Sequence, residues 1–157
     1  MRKRIIAHGP GAVAAAEPGW LDLEHLAEVE ITSEDVDHPI ESALIPGTSL
    51  GWRAADPGEQ TIRLWFDKPL RLKRIQLMFQ EGEQERTQEL VLRWSPDGGQ
   101  SYREIVRQQY NFSPPETVRE IEDYDVDLDA LTALELRIMP DISGGSARAS
   151  LAQMRLA

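Results

Sequence analysis

Thr61-Ile62-Arg63-Leu64-Trp65-Phe66 alternates so that Ile62, Leu64 and Phe66 share one face and Arg63 and Trp65 share the other. Side chains on a strand repeat every two residues, so this alternation marks a strand with one buried face. The same period recurs on both sides. Upstream, Ala27-Glu28-Val29-Glu30-Ile31-Thr32 turns Val29 and Ile31 inward and Glu28 and Glu30 outward. Downstream come Ile75, Leu77 and Phe79, then Leu90, Leu92 and Trp94, then Tyr102 to Val106. Tyr124, Val126 and Leu128 follow, with Ile121 out of phase in the manner of a bulge. Leu134, Leu136 and Ile138 continue the pattern, and Ala152, Met154 and Leu156 end it.

Between these runs lie Asp67-Lys68-Pro69, Ser95-Pro96-Asp97-Gly98-Gly99, Ser113-Pro114-Pro115 and Ser143-Gly144-Gly145, which carry the residues tight turns need. About eight short strands with such spacing predict an all-β fold, an antiparallel jelly-roll β-sandwich. Residues 19–26 have room for one helical turn. With 157 residues, 41% of them hydrophobic, the chain suits a single core, so one domain is expected over 20–157 behind a flexible arm at 1–19. Strands running up and down would bring loops 33–51, 80–87, 108–117 and 140–148 to one pole. Tight turns at 67–70, 95–101 and 127–131 would occupy the other. Long loops on a rigid sandwich are where binding sites usually lie, so the first pole is the expected ligand pole.

Charge narrows the partners. Seventeen Lys and Arg against twenty-seven Asp and Glu give a formal net charge of -10. Nucleic acids and anionic membranes need a basic footprint, so neither is an expected partner. The chain has no cysteine, which excludes disulfides, thiolate metal sites and a cysteine nucleophile. Arg2-Lys3-Arg4 and Ile5-Ile6-Ala7 begin like a signal peptide, but His8-Gly9-Pro10-Gly11 interrupts the apolar run. A cytoplasmic location is therefore expected.

Several segments resemble the galactose-binding-like superfamily, which includes discoidin domains and several carbohydrate-binding modules. They are Gly51-Trp52-Arg53-Ala54-Ala55, the run from Thr61 through Pro69 into Leu72–Leu77, Leu90 to Tyr102 with its Ser95-Pro96-Asp97-Gly98 turn, and Ala149 to Leu156. Trp52 to Ile62 is also similar to the amino-terminal domain of the X-ray repair cross-complementing scaffold protein. The resemblance spans roughly residues 26–157. It implies a jelly roll that binds sugars, lipids, proteins or nucleic acids through loops at one pole. Many sugar-binding relatives hold structural calcium with a Glu in the last strand, where this chain has Gln153. A neutral amide is the poorer ligand, so no cofactor is expected.

Candidate chemistry is sparse. Ser95 to Tyr102 also fits an Asp-box hairpin, whose Asp and Gly serve the turn itself. The acidic run from Asp22 to Glu41 reads as a solvated face, with Glu34, Asp35 and Asp37 as candidate oxygen ligands for a hard cation. Glu116 to Asp129 holds seven carboxylates and one Arg, read as the outer face of a strand. None of the histidines has a partner at zinc-ligand spacing, and no nucleophile elbow or phosphate loop occurs. The expectation is therefore a non-catalytic module. Sugars stack on aromatics and bond to amides and charged groups. Tyr110, Asn111 and Phe112, with Arg53, Gln80, Arg86 and His38, are the expected ligand-binding cleft. Phe112 as a core plug and Trp52 as a loop anchor are the structural alternatives. A neutral carbohydrate is the expected ligand, with a protein partner as the alternative.

Overall fold

A computed structural model describes residues 19–47 and 50–157. The chain order is α1 (Leu23–Leu26), β1 (Ala27–Ile31), α2 (Glu41–Leu44), β2 (Trp52–Pro57), β3 (Gln60–Gln80), β4 (Arg86–Ser95), β5 (Arg103–Phe112), β6 (Arg119–Met139), β7 (Arg148–Leu151) and β8 (Gln153–Leu156). The architecture is an antiparallel all-β jelly-roll sandwich. The arm expected at 1–19 lies, apart from Gly19, outside the described residues.

Two long strands build both layers. The first half of β3 pairs with β1, as Ile62↔Ile31, and with the second half of β6, as Leu64↔Leu134. That layer continues through β4, as Leu136↔Leu92, to β5, as Gln88↔Tyr110. The second half of β3 pairs instead with the first half of β6 and with β8, as Leu77↔Met154. A separate ribbon of β2 and β7 is joined at Trp52↔Leu151. Ile62, Leu64, Leu90, Leu92, Leu134 and Leu136 are buried from one layer, and Leu72, Ile75, Leu77, Phe79, Met154 and Leu156 from the other. Each such side chain stabilises the fold by about 1.5–3 kcal/mol, and a one-residue slip would expose a whole set.

Four expectations from the sequence are corrected here. Asp67-Lys68-Pro69 is not a turn between two strands but lies inside β3. Register shifts between Trp65 and Arg74 leave that stretch unpaired, so the strand bends from one layer into the other and Pro69 needs no ladder partner. Residues 127–131 likewise lie within β6. The strand begun near Tyr102 runs on to Phe112, so the expected loop 108–117 contracts.

The fourth correction concerns Ile121. There is no bulge at this position: Ile121 is in register with Met78 and is 51% exposed, while Glu120 and Glu122 alternate onto the inner face with Phe79 and Leu77. Gln108 Nε2 of β5 donates to Glu122 at 2.9 Å, and the Tyr124 hydroxyl donates to Gln108 Oε1 at 2.7 Å. Burial, reinforced by the adjacent Glu120, pushes the Glu122 carboxyl up to about 7. A carboxyl raised on folding binds its proton more tightly in the native state. Its stabilising effect is complete below the unfolded value near 4.5 and is lost as pH rises through about 7. Solvent reaching this edge screens the effect to about 1 kcal/mol. Urea denaturation should therefore show the wild type losing stability between pH 5 and pH 8, and Glu122→Gln losing none of that increment. Parallel profiles would contradict the assignment.

Candidate functional site

The ligand pole is built from Gly51 outward. Gly51 is buried at φ +70°, and a Cβ there would lie 2.7 Å from the Leu151 carbonyl oxygen. Only glycine lets the long loop press so closely on the junction of β7 and β8. Trp52 follows as the first residue of β2, 1% exposed, with its indole Nε1 donating to the Ser33 carbonyl at 3.1 Å. That bond ties both ends of the loop together. The Arg53 amide donates to the His38 carbonyl at 3.1 Å, and the Asp35 amide donates to the Arg53 carbonyl at 2.8 Å, so the loop lies along the edge of β2.

Against this wall stands the turn after β3, leaving a cleft of about 240 Å³. His38 and Leu50 come from the long loop, Arg53 from β2, Gln80 to Glu83 from the turn, and Arg148 and Ser150 from β7, with Trp52 also contributing to the lining. The other loops brace the turn. The Glu81 amide donates to the Val118 carbonyl at 2.8 Å, and the Ile142 amide donates to the Thr87 carbonyl at 2.9 Å.

The seven residues expected in one cleft divide. His38, Arg53 and Gln80 line it together. Arg86, Tyr110 and Phe112 form a different, buried cluster beneath the loops. Arg86 is 4% exposed and lies 4.8 Å over the Phe112 ring. Its Nε donates to Glu81 at 2.7 Å, and its Nη1 donates at 2.7 Å to both Gln88 Oε1 and the Pro140 carbonyl. Tyr110 packs edge-on against Phe112, with 5.4 Å between ring centroids, and its hydroxyl accepts from Gln88 Nε2 at 2.7 Å. Burial drives its phenol above the ordinary range. Asn111 points out of β5 and its Oδ1 accepts from the Thr87 hydroxyl. Tyr110 and Phe112 thus pack toward the core while Asn111 faces outward, because β5 alternates.

Arg148 and Ser150 were missed, although Ala147-Arg148-Ala149-Ser150-Leu151 alternates in period two. Ala147, Ala149 and Leu151 are buried while Arg148 is exposed. The acidic residues of the long loop are largely occupied within it. Glu34 accepts from the Ile40 amide at 2.9 Å. Asp35 accepts from the Asp37 amide at 3.2 Å and lies 3.4 Å from His38 Nδ1. That amide bond is the main influence holding the Asp35 carboxyl below its usual range. At Glu81 burial opposes ionisation, but Arg86 and the Glu83 and Gln84 amides outweigh it and lower the carboxyl.

A second concavity of about 490 Å³ lies along β3 and β8, where Arg74 stacks 4.8 Å over Trp20 and pairs with Asp123. Gln153 lines it, so the residue expected to weaken a calcium site borders this face. His25 does have a carboxylate neighbour, contrary to the spacing argument: α1 brings Asp22, Glu24 and His25 together with ligating atoms within 4.8 Å.

Known structures share this arrangement of strands. The family 32 carbohydrate-binding module from C. perfringens NanJ, in complex with galactose, superposes with a TM-score of 0.61 at 15% identity, over 83% of this chain and 92% of that one. A second such module from Clostridium perfringens, in complex with GalNAc-β-1,3-galactose, gives 0.62 at 17% identity, over 83% and 94%. The chain has the galactose-binding-like fold. Reduced XRCC1 bound to the DNA polymerase β catalytic domain shares that galactose-binding-like fold, with a TM-score of 0.61 at 17% identity over 84% of this chain and 95% of that one. Neither a protein-family model nor a curated protein matches the chain.

Proposed function

We propose that the protein is a non-catalytic carbohydrate-binding module whose ligand seats in the cleft between the long loop and the turn after β3. The observation that carries this is the lining. Arg53, Gln80, Glu83, Arg148 and Ser150 present donors and acceptors of several kinds around one concavity at the loop pole. Sugar hydroxyls both donate and accept, so such a mixture suits them better than an apolar ligand. At about 240 Å³ the cleft is smaller than the roughly 300–1,000 Å³ of drug-sized sites, so it takes the end of a glycan. Glu81 is bound to Arg86 and kept ionised, which makes it a poor general acid and supports binding without catalysis.

Calorimetry of the full chain against a panel of monosaccharides and short oligosaccharides tests this. At least one sugar should bind. Gln80→Ala and Ser150→Ala should each weaken it about tenfold, the worth of one hydrogen bond. Asn111→Ala, on the outer side of β5, should leave the affinity unchanged. A silent panel, or an equal loss in Asn111→Ala, would overturn the proposal.

A protein-interaction module is the second reading. Apolar exposure at the same pole favours it: Val36 is 89% exposed, Leu50 66% and Ile142 50%. Under that reading, sugars give no signal, and a stoichiometric partner captured by the wild type is lost on Leu50→Asp.

A further inference from the structure

The cleft holds an asymmetry that its size does not explain. In a chain with a ten-charge acidic excess, arginines readily meet carboxylates, and seven of the described arginines lie within 4 Å of one. Among the described residues, Arg53 and Arg148, like Arg103 and Arg119, have no such carboxylate, and Arg53 and Arg148 are exposed and line the cleft. Both belong to the β2–β7 ribbon: Arg53 is opposite Ser150, and Arg148, two residues from Ser150, is opposite Pro57 across an irregularity in the register. Two long side chains on the lining of one cleft can reach a single small anion.

Nearby acids leave the pair uncompensated. Asp35 senses the Arg148 charge, but its carboxylate is engaged by the Asp37 amide. Glu81 across the cleft is matched to Arg86. Glu83 is the remaining carboxylate on the lining, so two guanidinium groups face one acid. A guanidinium presents a planar fork of donors that fits a carboxylate in bidentate fashion. Gln80 and Ser150 stand beside the pair with groups suited to hydroxyls.

We propose that the cleft selects sugars bearing a carboxylate, with Arg53 and Arg148 clamping the acid while Gln80 and Ser150 bond the ring hydroxyls. This rests on the carbohydrate reading and departs from the neutral carbohydrate expected from the sequence. Glu34 and Asp35 of the long loop accept from the loop's own amides.

The test is calorimetry of the full chain at low salt with galacturonic and glucuronic acids, their neutral methyl esters, galactose, and a glutamate dipeptide. Each acid recognised should bind at least tenfold more tightly than its ester, and the preference should shrink as salt is raised. Arg53→Gln and Arg148→Gln should each reduce that ratio, and the double variant should bind acid and ester alike. Both sites are exposed, so an unchanged Tm will establish that the variants are folded. Equal binding of acid and ester by the wild type, an undiminished preference in the double variant, or a dipeptide as tight as the sugar acid would overturn the proposal. Neutral sugars binding while acids fail would sink this inference and leave the carbohydrate reading standing. A panel silent throughout would remove both.

Discussion

Arg86→Ala should destabilise the protein by about 3–5 kcal/mol and abolish sugar binding in the fraction that still folds. The cost follows from what the side chain joins. One guanidinium ties the turn after β3 through Glu81, β4 through Gln88, and the loop after β6 through the Pro140 carbonyl, while its plane covers Phe112. Removing one partner of a buried ion pair leaves a carboxylate in a poor solvent, and breaking such a pair costs about 3–5 kcal/mol. In a chain of this length that lowers Tm by roughly 10 °C or more. Arg86→Lys should recover only part of the loss, because a point charge cannot reproduce three directed bonds. Thermal melts of the three proteins, read beside calorimetry, check both parts. A variant with native Tm, or one stable but unable to bind for a reason unrelated to residues 80–83, would refute this account of the cleft wall.

Glu135→Ala should cost about 3 kcal/mol and leave sugar binding intact. Glu135 is 1% exposed on the outer side of the five-stranded layer, beneath three arginines. Arg63 donates to it through Nη2 at 2.8 Å and Arg93 through Nε at 3.0 Å, while Arg137 stands 3.6 Å away. Tyr102 roofs the cluster, with Arg93 4.7 Å from its ring centre. Deleting the carboxylate leaves like charges crowded across three adjacent strands. Each arginine keeps about a third of its side chain in water and turns outward, so the cost stays below that of a fully buried pair. Urea denaturation should place the loss near 3 kcal/mol, and a double-mutant cycle with Arg93→Ala should return a coupling above about 1 kcal/mol. A loss under 1 kcal/mol would mean that the cluster is solvated and contributes little.

The sandwich was legible because its signal is local. Ile62-x-Leu64-x-Phe66, Leu90-x-Leu92 and Leu134-x-Leu136-x-Ile138 record in their spacing which face each strand buries. The turn at Ser95 to Ser101 was equally readable: Asp97 accepts from the Ser101 amide and hydroxyl and from the Ser95 hydroxyl, and these bonds draw its carboxyl down to about 2. Asp67-Lys68-Pro69 misled because turn chemistry and a strand that bends between layers use the same residues. Four of the seven residues expected in the cleft lie outside its lining. Tyr110 and Phe112 belong to a strand whose continuation past Val106 runs through the polar stretch Arg107-Gln108-Gln109, which shows no apolar alternation and is held by pairing with Arg86 to Leu92 of the preceding strand.

By itself, then, the sequence determined an all-β, antiparallel fold, a single core and loops gathered at one end, since alternation and turn chemistry act over a few residues. Tertiary structure alone decided what the charges do. It buried Arg86 against Phe112, placed Glu135 under three arginines, and turned Glu122 inward opposite Gln108. It also brought Arg53 and Arg148 to the lining of one cleft across 95 residues of chain. A charge acts through distance and burial, and neither is written in spacing along the chain.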